Sequence, residues 1–296
     1  ILDIDQSLIS NLQLPDRWIL SRLNRLIQSV DRLFEAYQYG EAGRQIHDFL
    51  WGEYCDWYIE ASKVRLYGPA TGTGHGEAAE RDVPRAVLLH VLERALRLLH
   101  PFMPFVTEAI WQALPDEVRE GEALMMARWP EQDIALLSGE AEERMGLAME
   151  LVRGIRNRRA EYDVTPGKRI PALIAAGDAA VWLEEQRAVL CALAKLDSDQ
   201  LSIQPAIEPP DQAATVVVGD VACYLPLAGL VDLDAERERL SKSLTEIEGR
   251  IVRSEALLAG EFAQRAPEQV VQRERDKLAD LQARQAKLTE QLSTLG

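Results

Sequence analysis

Ile19, Leu23, Leu26, Val30, Leu33 and Tyr37 follow one another in steps of four and three, which places them on one face of an amphipathic helix. Pro15 suits the first turn of that helix, where its missing N–H has no partner to lose, and Gly40 is a natural stop. A second helix is expected over 42–67. It is dense in aromatics (Phe49, Trp51, Tyr54, Trp57 and Tyr58), and their helical spacing assigns them to packing: Trp57 with Leu50, and Tyr54 with Ile46 or Leu50. The glycine-rich stretch 68–76 is a flexible loop by composition. A third helix is predicted to begin near Pro84 and to bury Val87, Leu88, Val91, Leu92, Ala95 and Leu99. His100-Pro101 ends it, and a fourth runs over 104–114, with Phe102, Phe105 and Trp111 assigned to the core. Four helices on short connections predict a bundle. The acidic stretch 115–140 reads as a connection, and a fifth helix is expected over 140–161.

The pattern then changes twice. After the Pro166-Gly167 turn, 170–175 reads as a buried strand and 179–195 as a helix. The apolar runs 215–218 and 221–225 flank Gly219-Asp220, the spacing of a β-hairpin with a two-residue turn. From Val231 onward the period is the heptad. Leu240, Leu244, Ile247, Ile251 and Leu258 keep it, with Ser254 in the intervening place. Beyond a break at Gly260 and Pro267, so do Val271, Leu278, Leu281, Gln285, Leu288, Leu292 and Leu295. This predicts an antiparallel coiled-coil hairpin. The expected fold is mainly α: a helical bundle over 1–145, a helix with a small α/β unit over 146–229, and the hairpin over 230–296.

Charge changes the functional picture. A net −15 argues against a broadly basic nucleic-acid binder. Its distribution is uneven, however, and one basic patch on an acidic protein suffices to bind RNA. Residues 101–150 carry eleven acids and three bases, whereas 150–169 carry six bases and three acids. Within the latter, Arg153, Arg156, Arg158 and Arg159 crowd the end of a helix, with Arg156 and Arg159 on one face. Lys168 and Arg169 extend the cluster past the turn. Guanidinium groups make forked contacts to phosphate. Taken alone, the cluster reads as a solvated face paired with the acidic stretch, and only its context reverses that reading.

Cys55, Cys191 and Cys223 are too scattered for a disulfide framework or a zinc site, and no histidine stands at ligand spacing from another. There is no run long enough to cross a membrane as a helix. No P-loop, dinucleotide fingerprint or nucleophile–base constellation occurs, so catalytic residues and metal sites are expected to be none. The start lacks Met and a signal sequence, which suggests a piece of a longer chain.

Several motifs together resemble the C-terminal portion of valyl-tRNA synthetases. Asp16-Arg17-Trp18-Ile19-Leu20-Ser21-Arg22-Leu23 is similar to the start of that family's anticodon-binding domain. Phe49-Leu50-Trp51 through Cys55-Asp56-Trp57-Tyr58-Ile59-Glu60 resembles its second helix. His100-Pro101-Phe102-Met103-Pro104-Phe105-Val106-Thr107-Glu108 resembles a junction shared with leucyl and isoleucyl enzymes. So do Arg156-Asn157, Arg159-Ala160-Glu161 and Pro166-Gly167-Lys168, although position 158, usually apolar in that motif, is Arg158. The tail selects the valyl group: Phe262, Arg265-Ala266-Pro267, Val270-Val271 and Glu274-Arg275 sit within a heptad hairpin.

The resemblance implies a parent enzyme that joins valine to its tRNA with ATP and magnesium and edits mischarged threonine, because an apolar pocket cannot strongly reject that isostere. Its catalytic and editing domains, expected partners of this segment, would precede Ile1, leaving no cofactor here. The segment would grip valine tRNA at the anticodon stem-loop through Arg153, Arg156, Asn157, Arg159, Lys168 and Arg169. It would meet the outer corner of the tRNA through Arg250, Arg253, Arg284 and Lys287 of the hairpin. A cytoplasmic monomer without membrane attachment is expected. A coiled-coil scaffold without RNA binding, and the equivalent region of a leucyl or isoleucyl enzyme, are the alternatives.

Overall fold

A computed structural model describes residues 9–68, 78–226, 233–260 and 267–294. The loop expected at 68–76 thus lies almost wholly outside the described residues, as do Leu295 and the 229/230 boundary. The chain forms two compact units. The first comprises Ile1–Arg153 with Val181–Ser198, and the second Gly154–Ala180 with Asp199–Gly296.

In the first unit, helix α1 (Leu14–Glu35) buries Trp18, Ile19, Leu20, Leu23, Ile27 and Val30, the face set by the apolar spacing. Its start is fastened by Asp16, a buried carboxylate in the first turn. Asp16 accepts from the Gln13 backbone N–H (2.9 Å), the Tyr58 hydroxyl (2.7 Å) and Arg65 Nη1 (2.5 Å). α1 ends before Gly40, contrary to expectation. Tyr37 adopts φ +57°, the Gln38 N–H donates to the Leu33 carbonyl at 2.8 Å, and Gly40 falls inside the next helix. Tyr37, expected on the buried face, is therefore turned out to solvent.

Helix α2 (Tyr39–Phe49) passes through a wide π-type segment, Leu50–Ile59, into α3 (Glu60–Tyr67). Leu50, Tyr54, Trp57 and Tyr58 fill the core as expected, while Trp51 is exposed and stacks on His47 (centroids 4.9 Å apart). Helix α4 (Ala78–Leu99) starts before Pro84 and carries that proline inside it. In α5 (Pro104–Gln112), Thr107 and Trp111 are buried. Phe105, assigned to the core from the sequence, is 91% exposed, because the inward face of this short helix belongs to Thr107 and Trp111.

The acidic connection is not loose. Val118 and Leu124 join Leu96, Trp111 and Leu114 in one apolar cluster. Arg97 is the fastener: it pairs with the buried Glu93 on its own helix, with Glu120 at 2.8 Å, and donates to the Arg128 carbonyl at 2.9 Å. Helix α6 (Gly139–Glu161) follows, and the predicted helix over 179–195 is two pieces, α7 (Ala180–Glu185) and α8 (Arg187–Ala194).

The second unit is built on a four-stranded sheet of order β2-β1-β4-β3. Its strands are β1 (Ile170–Ala175), β2 (Leu196–Gln204), β3 (Ala213–Val218) and β4 (Val221–Pro226). β4 pairs antiparallel with both β1 and β3, and Val218 opposes Val221 across the Gly219-Asp220 turn. Gly219 supplies the positive φ (+54°) that such a tight turn needs. The last turns of α6 pack on this sheet so closely that a Cβ on Gly154 would lie 2.3 Å from Val216 Cγ1. Gly154→Ala is therefore expected to cost about 1–3 kcal/mol in urea unfolding, despite alanine's higher helix propensity. A neutral or stabilising result would show that the helix stands off the sheet.

Helices α9 (Leu233–Ala259) and α10 (Glu268–Thr294) pack together as a hairpin. Leu240, Ile251, Ser254, Val271 and Leu281 are buried along the seam. The one polar place in the heptad run of α9 is satisfied across it, Ser254 Oγ donating to Glu274 Oε1 at 2.6 Å. At 1.5 Å per residue, each 27-residue helix is about 40 Å long.

Candidate nucleic-acid interface

The cluster at the end of α6 divides in the structure. Arg159 is buried at 7% exposure and points into the turn that follows its helix. Its Nη2 donates to the carbonyls of Thr165 (3.2 Å), Pro166 (3.4 Å) and Lys168 (2.8 Å). Burial pulls its guanidinium below its ordinary value, in keeping with an internal position. Arg159 thus folds the 165–168 turn back onto the end of α6 and so positions Lys168 and Arg169, which are both exposed.

Arg158 is half-buried. It donates to the Thr215 carbonyl of β3 at 3.2 Å and pairs with Glu161 at 2.8 Å, which is why a charged residue fits a place usually apolar in the resembling motif. Arg156 and Asn157 are exposed. Arg153 is exposed too, and its guanidinium stands 5.0 Å from the centre of the Trp57 ring. Cations crowding the last turn also complement the helix dipole.

The four basic residues expected on the hairpin are all exposed. Each precedes a seam position by one: Arg250 before Ile251, Arg253 before Ser254, Arg284 before Gln285, Lys287 before Leu288. A step of one residue turns about 100° around a helix. Because the two helices run in opposite directions, that step leads to the same side of the hairpin on both. The same rule adds Arg273 and Lys277, which sequence reasoning passed over although the heptad phase marks them. Among the described residues this face carries these six bases against Glu246 and Asp280; the opposite face carries Arg275 against Glu248 and Glu255.

The basic face begins near α6. Lys287 Nζ donates to Glu161 Oε1 at 2.7 Å, so one of the expected RNA contacts is engaged within the second unit. Burial of Glu161 opposes ionisation, but the bonds from Lys287 and Arg158 outweigh it and hold the carboxyl below its ordinary range.

Residues 16–174 match the family model of the anticodon-binding domain of tRNA ligases, and residues 232–296 that of the valyl-tRNA synthetase tRNA-binding arm. The valine–tRNA ligase of Oceanobacillus iheyensis is 40% identical over 296 residues, covering 99% of this chain and 32% of the relative. That of Carboxydothermus hydrogenoformans is 42% identical over 270 residues, covering 90% of this chain and 29% of the relative. That of Syntrophotalea carbinolica is 39% identical over 302 residues, covering 99% and 32%. The helical first unit is thus of the tRNA ligase anticodon-binding class. With the arm that follows, the chain belongs to the valyl-tRNA synthetase family, spanning about a third of the length of the curated relatives it matches.

Proposed function

We propose that this chain grips valine tRNA for an enzyme that attaches valine to it, with two basic surfaces as its contacts. One is the exposed set at the end of α6: Arg153, Arg156, Asn157, Lys168 and Arg169. The other is the basic side of the hairpin: Arg250, Arg253, Arg273, Lys277, Arg284 and Lys287. Arg159 acts indirectly, by holding the turn that carries Lys168. Valine activation with ATP and magnesium, and editing, we assign to the parts of the relatives that this chain does not match. Those parts are proposed partners within one cytoplasmic, monomeric enzyme. Among the described residues, no helix is long and apolar enough to cross a membrane.

The observation that carries the reading is the one-sided charge of the hairpin. A solvated scaffold has no need to sort its bases onto one side, whereas a phosphate backbone rewards it. The test is titration of valine tRNA with the chain at 50 and 200 mM salt, roughly the range over which six phosphate contacts cost about a thousandfold in affinity. Arg250→Glu with Arg253→Glu is expected to weaken binding and flatten the salt dependence, and Arg275→Glu on the other side to change little. Equal effects from the two sides, or binding indifferent to salt, would contradict the reading.

A further inference from the structure

The first unit carries a surface that the arginine-rich segments do not include. Where α1 ends, Tyr37 takes up the left-handed conformation, the place after a helix that glycine usually fills. For a bulky residue this backbone is uncommon and strained, and strain of this kind collects at functional positions. Here it delivers the ring to solvent: Tyr37 is 79% exposed.

The ring does not stand alone. Tyr37 meets Tyr39 edge to face (centroids 6.2 Å), Tyr39 meets Phe34 likewise (5.2 Å), and Phe34 touches Trp129 (5.3 Å). Trp129 is held by its Nε1, which donates to Asp31 Oδ1 at 2.7 Å. The result is a braced row of rings, exposed at Tyr37, Tyr39 and Trp129 and anchored on α1 by Phe34. Elsewhere on α1 and α2, Arg22, Arg25, Arg32 and Arg44 line a groove of about 450 Å³. Three of these are steadied by carboxylates: Arg22 by Glu53, Arg25 by Glu142 and Arg44 by Glu41 and Asp48. Arginine's five N–H donors leave capacity for phosphate in such pairs.

We propose that this row of rings is a stacking platform for an unpaired nucleobase of bound RNA, with Tyr37 meeting the base. Every base has a face to stack, and exposed aromatic rings are where proteins stack the unpaired bases of a nucleic acid. The inference rests on the tRNA-binding reading above and adds to it the place where a base is held.

Tyr37→Gly separates the ring from the fold. Glycine suits a positive φ, so the melting temperature is expected to stay or rise. Affinity of the full chain for valine tRNA is expected to fall about tenfold, the scale of one lost stacking contact. Tyr37→Phe, which keeps the ring, should bind like the parent. If Tyr37→Gly binds valine tRNA as tightly as the parent chain, the platform is overturned, the row of rings becomes a seat for protein, and the tRNA reading stands. If the parent chain itself binds no tRNA, both fall together.

Discussion

Asp16→Ala is expected to lower stability by about 3–5 kcal/mol, the usual cost of taking one partner from a buried ion pair. The carboxylate is almost fully buried and serves three donors on three parts of the chain: the Gln13 backbone, the Tyr58 hydroxyl and the Arg65 guanidinium. Removing it strands all three. Burial, and then the neighbouring Asp16 charge, push the Tyr58 hydroxyl well above its ordinary value, so it remains a donor throughout the working range. Asp16→Asn keeps the shape and one acceptor oxygen, and should lose less. Urea unfolding followed by the helical circular dichroism signal reads both variants. A loss under about 1 kcal/mol for Asp16→Ala, the range of an exposed pair, would mean that the network is solvated.

Arg97→Ala should cost a comparable about 3–5 kcal/mol, and its effect should depend on pH. Arg97 neutralises Glu93 deep in α4, ties the acidic connection down through Glu120, and lies 5.6 Å from the centre of the Trp111 ring. Burial already raises the Glu93 carboxyl above its ordinary range, with Arg97 pulling the other way. Without Arg97 the folded-state value rises further. A carboxyl raised on folding binds protons more readily in the folded state, so its penalty is absent at low pH and grows as pH rises above the unfolded value. The variant should therefore be hurt more at pH 7 than at pH 4. A deficit independent of pH would show that the loss is packing on Trp111 alone.

The sequence disclosed what depends on period and concealed what depends on competition between neighbours. The heptad run from Leu240 to Leu292 is legible because a long seam repeats one requirement many times. β2 was missed because Leu196–Gln204 is a largely polar edge strand, with no alternation for a pattern to catch. Phe105 misled because a short helix buries only one narrow side, and Thr107 and Trp111 occupy it. The arginine cluster was visible as charge. Its division between the exposed Arg156 and the inward Arg159 was not, since Arg159 is committed by the carbonyls of a turn that exists only once the chain is folded. The left-handed Tyr37 carries no sequence signal, because glycine is the residue that ordinarily marks that conformation.

Competition between valine and leucine tRNAs for this chain at moderate salt tests the central claim most directly. Preferential retention of valine tRNA, by about tenfold or more (1.4 kcal/mol), is the predicted result. Equal displacement by the two tRNAs would contradict it, and would reduce both basic surfaces to general attraction for RNA.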